Sequence, residues 1–222
     1  GVPIATISAA ALGSYLGDMI GWRNVFLLTT ALSVLTLVLQ YFTLPRMAPG
    51  RPTPLGTLVS VIKRPGMAAG IVAILLVFCG HFAFFTYVRP FLEGISRMGI
   101  NELSSTLLAF GVANFVGTLA AGYLLERSLR LTLLLMPLIM GVLGWLLATL
   151  GGFSMGTDIV MVALWGLAFG AVPVAWSTWI TRVVPDEAES GGGLIIASIQ
   201  LAIALGAAIG GVMFDISGVL GV

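Results

Sequence analysis

The chain has 222 residues, of which 59% are hydrophobic and 9% charged, with a formal net charge of +1 and a mean hydropathy of +1.10. A soluble domain carries roughly 25% charged residues, so a water-soluble globule is excluded; open strands cannot cross lipid, and the chain reads as an all-α polytopic membrane protein. The near-neutral charge gives no footprint for nucleic acid, and the single cysteine, Cys79, rules out an intrachain disulfide and a paired-cysteine metal site.

Seven apolar stretches are predicted to cross the bilayer, over residues 1–20, 24–44, 66–88, 103–125, 131–150, 158–180 and 193–213. The first opens at Gly1 inside an apolar run and carries Gly13, Gly17 and Gly21 at fourfold spacing. The second has no glycine and is expected to face lipid. Residues 45–65 form a proline-rich linker with Arg46, Arg51, Lys63 and Arg64 and no acid. The third stretch begins with the pair Gly66/Gly70 and contains His81, the only ionisable side chain well inside any stretch. The fourth carries small residues at Ala109, Ala113, Gly117 and Ala121, with Asn114 near its middle. The fifth is leucine-rich and again expected at the periphery. The sixth has Gly166/Gly170, and the seventh Gly206/Gly210, with Gln200 near its middle. Small residues four apart let two helix backbones approach closely.

Arg46, Arg51, Lys63, Arg64, Arg127, Arg130 and Arg182 fall on one side of this arrangement, and Arg23, Arg89 and Arg97 on the other. The excess of positive charge places the long linker in the cytoplasm. An internal echo then fixes the architecture. Leu12-Gly13-x-x-Leu16-Gly17 recurs as Leu205-Gly206-x-x-Ile209-Gly210, 193 residues later, and each copy is followed by an acid, Asp18 or Asp215. The copies lie on the first and seventh stretches, so the repeating unit contains six helices, and both copies run outward. Two parallel six-helix halves totalling roughly 390 residues are implied, an organisation found among secondary transporters. Residues 1–44 would then be the last two helices of the first half and 45–65 the central linker. Residues 66–222 would be the second half with its final helix truncated, so the chain is expected to be an internal stretch of about seven transmembrane helices.

Three sets of residues carry a family resemblance. Ala9, Gly13, Ser14, Gly17 and Asp18 fall on the later positions of a glycine-rich antiporter motif, and Gly193, Gly206, Gly210 and Gly211 match its second copy. Gly122-Tyr-Leu-Leu-Glu126-Arg127-Ser-Leu-Arg130 is similar to a Gly-x3-Asp-Arg-x-Gly-Arg loop, with Glu126 for Asp and Leu129 for the turn glycine. Gly21–Phe26, Phe82–Pro90 and Trp176–Arg182 resemble the purine-ribonucleoside exporters of the same group. The sequence thus resembles the major facilitator superfamily, within its twelve-helix drug:proton antiporter family. The resemblance implies the major facilitator fold and proton-coupled efflux by alternating access. It implies a purine ribonucleoside or similar small neutral solute as cargo, with sugar or multidrug export as the alternative and a membrane-embedded enzyme as a remote one. For Glu126, Arg127, Arg130 and Arg182 it implies gate or loop roles, and for Gly13, Gly17, Gly206, Gly210 and Gly211 the packing of the antiporter motif.

Several side chains could carry the chemistry. His81, with an ordinary pKa of about 6.5, could exchange a proton near neutral pH; it could equally be a neutral imidazole bonded to a neighbouring helix. Asn114 and Gln200 can offer donors and acceptors to a base or a sugar hydroxyl, or bond between helices. Phe82, Phe85, Trp176 and Trp179 could stack on a planar solute, or be packing and interface anchors. The charges at helix ends, Asp158 among them, are expected to be solvated for the most part, and Asp186, Glu187 and Glu189 to form a hydrated loop. No Gly-x4-Gly-Lys-[Ser/Thr], His-Glu-x-x-His or Gly-x-Ser-x-Gly motif occurs, which argues against ATP-driven or hydrolytic chemistry within this stretch. The expected partners are a small-molecule solute, a proton and the lipid bilayer. No cofactor, metal or nucleic acid is expected, and a monomer in the bacterial inner membrane is.

Overall fold

A computed structural model describes residues 12–13, 15–45 and 55–222. Most of the first predicted stretch and residues 46–54 of the linker lie outside that range. Residues 15–20 are helical and end at Gly21, whose φ of +81° is a conformation that a side chain would strain. Helix α1 (Trp22–Thr43) follows and buries none of its residues against the described chain.

The linker is more structured than its composition suggests. Its second part forms a short helix, α2 (Leu55–Ile62), which packs on α3 (Met67–Gly94) and α7 (Ala188–Ser217) and fully buries Val61. The helical run Ile100–Leu150 is broken at Ser128, which has extended backbone (φ −165°, ψ 109°). An unbroken run would be about 75 Å long, more than twice the hydrocarbon thickness, so it makes two crossings, α4 before Ser128 and α5 after it. The Ser128 hydroxyl accepts from the Leu131 amide at 3.2 Å, an N-cap for α5. One capping serine replaces the loop expected over 126–130, and no turn glycine is required.

Helix α6 (Met155–Val183) completes the set. Among the described residues, five helical runs are long and apolar enough to cross a membrane, and the break at Ser128 raises the crossings to six. The helices outrun the predicted stretches by up to several residues at their ends, because hydropathy marks only the part that lipid surrounds.

The run Ile100–Leu150, comprising α4 and α5, packs chiefly on α6, and α3 packs chiefly on α7. A Cβ added to Gly117 would collide with the Leu167 carbonyl, one on Gly166 with that of Phe110, and one on Gly170 with that of Asn114. Thr118 adds hydrogen bonds across this seam, its hydroxyl donating to the Gly170 carbonyl at 3.0 Å. In the other pair, a Cβ on Gly206 would strike the Cys79 carbonyl and one on Gly210 the Tyr87 ring at 2.8 Å. Tyr87 also donates its hydroxyl to the Ala207 carbonyl at 3.1 Å. The fourfold glycine spacing therefore marks real backbone contacts in α4, α6 and α7. Among the described residues, a Cβ on Gly13 or Gly17 meets nothing within 4 Å. Helix α5 exposes Leu131, Leu134, Leu138, Val142 and Trp145 and buries Met140, Leu143 and Leu147, the one-sided pattern of a peripheral helix.

Candidate functional site

Helices α3, α4, α6 and α7 enclose a cavity of about 530 Å³, within the 300–1,000 Å³ range of small-molecule sites. Helix α3 supplies Phe78, His81, Phe82 and Phe85, at the i, i+3, i+4, i+7 spacing of one helix face. Helix α4 supplies Phe110, Asn114 and Thr118, again four apart. Helix α6 supplies Phe169, Gly170, Pro173 and Val174, and α7 only Ile199. Pro173 has no N–H to give to the carbonyl four residues back, so the Phe169 carbonyl beside the cavity lacks its usual helical donor.

His81 lies at the centre of an aromatic cluster. Its ring stacks on Phe169 with centroids 3.3 Å apart and planes within 5°, lies near-parallel to Phe85 at 5.7 Å, and meets Phe82 edge-on at 4.9 Å. The indole Nε1–H of Trp165 donates to His81 Nδ1 at 3.0 Å. Asn114 is buried and donates through Nδ2 to the Gly166 carbonyl at 3.3 Å, so its amide both ties α4 to α6 and borders the cavity. No acid and no base other than His81 lies among the lining residues.

Four of the six solute-binding residues expected from sequence, His81, Phe82, Phe85 and Asn114, thus meet in one cavity. The other two do not. Trp176 is buried in the apolar core, edge-to-face with Trp179 at 5.4 Å, and its indole N–H has no partner among the described residues. Trp179 lies over Gly70 instead of a solute. Gln200 is exposed on α7, one residue past the cavity-lining Ile199; the 100° step per helical residue carries it off the lining face. Phe110, Phe169 and Trp165 were missed, because an aromatic within an apolar helix does not by itself reveal its facing. The spacing of Phe110 from Asn114 was the available signal.

The charged ends also differ from expectation. Glu126, Arg127, Arg130 and Arg182 are exposed, and among the described residues none of them joins an ion pair. Arg127 instead bonds the Tyr123 hydroxyl and lies over its ring at 4.6 Å. At the linker end Arg64 pairs with Asp186, bidentate at 2.6 Å, joining the end of the linker to the α6–α7 turn. That guanidinium holds the Asp186 carboxyl well below the usual carboxylate range, at about 2. Asp186 is therefore a clasp as well as a hydrated loop residue. At the opposite end, Arg89 and Glu93 pair one turn apart at 2.8 Å. Asp158, expected to be solvated, is fully buried. Its Oδ2 accepts from the Ser96 hydroxyl at 2.6 Å and from the Gly152 amide at 3.0 Å, tying the α3–α4 and α5–α6 turns to the start of α6.

The family description "Major Facilitator Superfamily" matches residues 1–218. Over 98% of its length the chain is 42% identical to the "Transcription regulatory protein OpdE" of Pseudomonas aeruginosa, and it covers 55% of that relative. Over 99% of its length it is 44% identical to the "Purine ribonucleoside efflux pump NepI" of Salmonella paratyphi B, again covering 55% of the relative. The pump of the same name from Salmonella typhimurium is 43% identical over the same share. The chain spans about half the length of the curated relatives it matches.

Proposed function

Because the chain belongs to the major facilitator superfamily, we propose that it forms the greater part of the second half of a proton-coupled secondary exporter whose cargo is a small, neutral, planar solute, a purine ribonucleoside foremost. The observation that carries this reading is the cavity in which aromatic rings from α3, α4 and α6 surround His81 and Asn114. Flat walls of π-faces suit a heteroaromatic ring, and the imidazole and the carboxamide give it edges to bind. The lack of any charged lining residue fits a neutral cargo. A sugar, whose hydroxyls need many partners, is served poorly by this lining, whereas a flat apolar drug is not, so multidrug export is the second reading. The regulatory role in the Pseudomonas relative's name is that protein's own and is not adopted for this chain. The location proposed is the bacterial inner membrane, with the Arg64–Asp186 end in the cytoplasm by the charge rule.

The test uses the full-length carrier in proteoliposomes. Labelled inosine or adenosine should exchange against unlabelled nucleoside in counterflow, and an imposed proton gradient should drive its net movement. If His81 only binds solute, His81→Gln weakens exchange and driven efflux together; if it also cycles a proton, driven efflux is lost while exchange survives. Exchange of planar drugs with none of nucleosides would move the assignment to multidrug export. Loss of neither activity in His81→Gln would remove this cavity from the transport path.

A further inference from the structure

Trp165 does not line the central cavity, yet it makes the one polar contact to the residue at the cavity's centre. Its indole is buried and clamped from two sides. The Phe84 ring stacks on it with centroids 4.1 Å apart, and Gly144 of α5 lies so close that a Cβ there would meet the ring at 3.1 Å. Trp165 also forms part of the wall of a second cavity of about 300 Å³ between α3, α5, α6 and the C-terminal residues 219–222. Held in this way, the indole has little freedom to turn its Nε1–H away from His81 Nδ1, 3.0 Å distant.

The direction of that bond has a chemical consequence. An indole N–H can only donate, so Nδ1 must present its lone pair, and a neutral imidazole then carries its proton on Nε2. Nε2 has no protein partner among the described residues, and His81 borders the cavity. Phe169, Phe85, Phe82 and Phe110 cover the remaining sides of the ring, none of them titratable. We propose that Trp165 is a positioning residue that fixes His81 in its Nε2–H tautomer, so that the cavity offers a neutral hydrogen-bond donor to an acceptor atom on the edge of a planar solute. The solute part of this proposal rests on the nucleoside reading above; the tautomer does not. In the conformation described, His81 is a donor to cargo and not a carrier of the coupling proton, because a proton on Nδ1 would face the indole N–H.

The test is nitrogen-15 NMR of the full-length carrier labelled with [15N]histidine, the His81 signals being identified by their loss in His81→Gln. The protonated and bare ring nitrogens of a neutral imidazole resonate far apart, so the tautomer is read directly. Wild type at pH 7 should show a single Nε2–H form, and Trp165→Phe, which keeps the ring but removes the donor, a mixture of both tautomers. An Nδ1–H form or an imidazolium in the wild type overturns the proposal, as does an unmixed Nε2–H form in Trp165→Phe. The wild-type spectrum decides even if the variant fails to fold. The transport arm compares counterflow of adenosine with its 1-, 3- and 7-deaza analogues, each lacking one ring acceptor. One analogue should bind about threefold to tenfold more weakly than adenosine in the wild type, the worth of one hydrogen bond, and this preference should fall below about twofold in Trp165→Phe. Equal treatment of all four nucleosides by the wild type overturns the donor role. If adenosine itself is not exchanged, the nucleoside reading fails, and the spectra still judge the tautomer.

Discussion

Gly206 offers the sharpest test of the packing, because the structure sets both the sign and the size of the effect. A methyl group there would lie 3.0 Å from the Ala83 nitrogen and closer still to the Cys79 carbonyl oxygen. Non-bonded heavy atoms rest at about 3.5–4.0 Å, so α7 would have to back away from α3 by about an ångström at this level. Both obstructing atoms are main chain, so no side chain can rotate out of the way. Overpacking of this kind costs about 1–3 kcal/mol, and the better helix propensity of alanine returns about 1 kcal/mol; both atoms in the way are main chain, which favours the upper end, so Gly206→Ala should be net destabilising, by up to about 2 kcal/mol. Gly193 is a control on the same helix, with nothing within 4 Å of an added Cβ, so Gly193→Ala should stabilise by about 0.5–1 kcal/mol. Thermal unfolding of the purified full-length carrier in detergent, followed by tryptophan fluorescence, should move the two midpoints in opposite directions. A Gly206→Ala midpoint at or above that of wild type would refute the reasoning, and with it the claim that α3 and α7 touch through their backbones.

Three further outcomes follow from the same geometry. Trp176→Phe removes a buried indole N–H that has no partner; nucleoside affinity in counterflow should stay unchanged and the unfolding midpoint should not fall, since an unsatisfied donor is lost. Asp158→Ala strands the Ser96 hydroxyl and the Gly152 amide and should cost about 1–3 kcal/mol in the same unfolding assay, with Asp158→Asn, which keeps an acceptor, recovering most of it. The Asp186 carboxyl is depressed in the folded protein, so the Arg64–Asp186 clasp contributes above the ordinary carboxylate range and is lost as pH falls through about 2. The difference between wild type and Asp186→Asn should accordingly be flat from pH 5 to 8 and shrink only below about pH 4, measured as unfolding midpoints across a pH series.

The parts of this molecule that were legible in its sequence are those where a residue conflicts with its surroundings. His81 and Asn114 stand out because a polar group inside an apolar stretch needs a reason, and both border the cavity. Gly117, Gly166, Gly170, Gly206 and Gly210 stand out because glycine is costly in a helix interior unless something packs against it, and each meets backbone or a ring. What stayed hidden depended on direction or on distant partners. Phe169 and Trp165 look like any other aromatic of a greasy helix, and only the fold shows that one stacks on His81 and the other donates to it. Asp158 was expected in water because it lies at a helix end, but the α3–α4 and α5–α6 turns fold over it. Arg64 and Asp186 are 122 residues apart, and no local pattern announces their pairing. Ser128 was passed over as a loop residue because the superfamily pattern called attention to the missing glycine, while the structure needed only a cap.

The two glycine seams have a consequence for how such a protein could change its cargo. At Gly117, Gly166, Gly170 and Gly206 the opposing surface is a peptide carbonyl, from Leu167, Phe110, Asn114 and Cys79. Peptide groups are the same in every residue, so these joints place almost no demand on the side chains attached to them. Phe110 shows the separation within one residue: its carbonyl seats Gly166 while its ring walls the cavity. The frame and the binding surface are thus written in different atoms of the same chain. Variants selected in the laboratory for export of a new compound should therefore accumulate at Phe78, Phe82, Phe85, Phe110 and Phe169 and leave the four glycines untouched, so that one scaffold can be refitted repeatedly without being rebuilt.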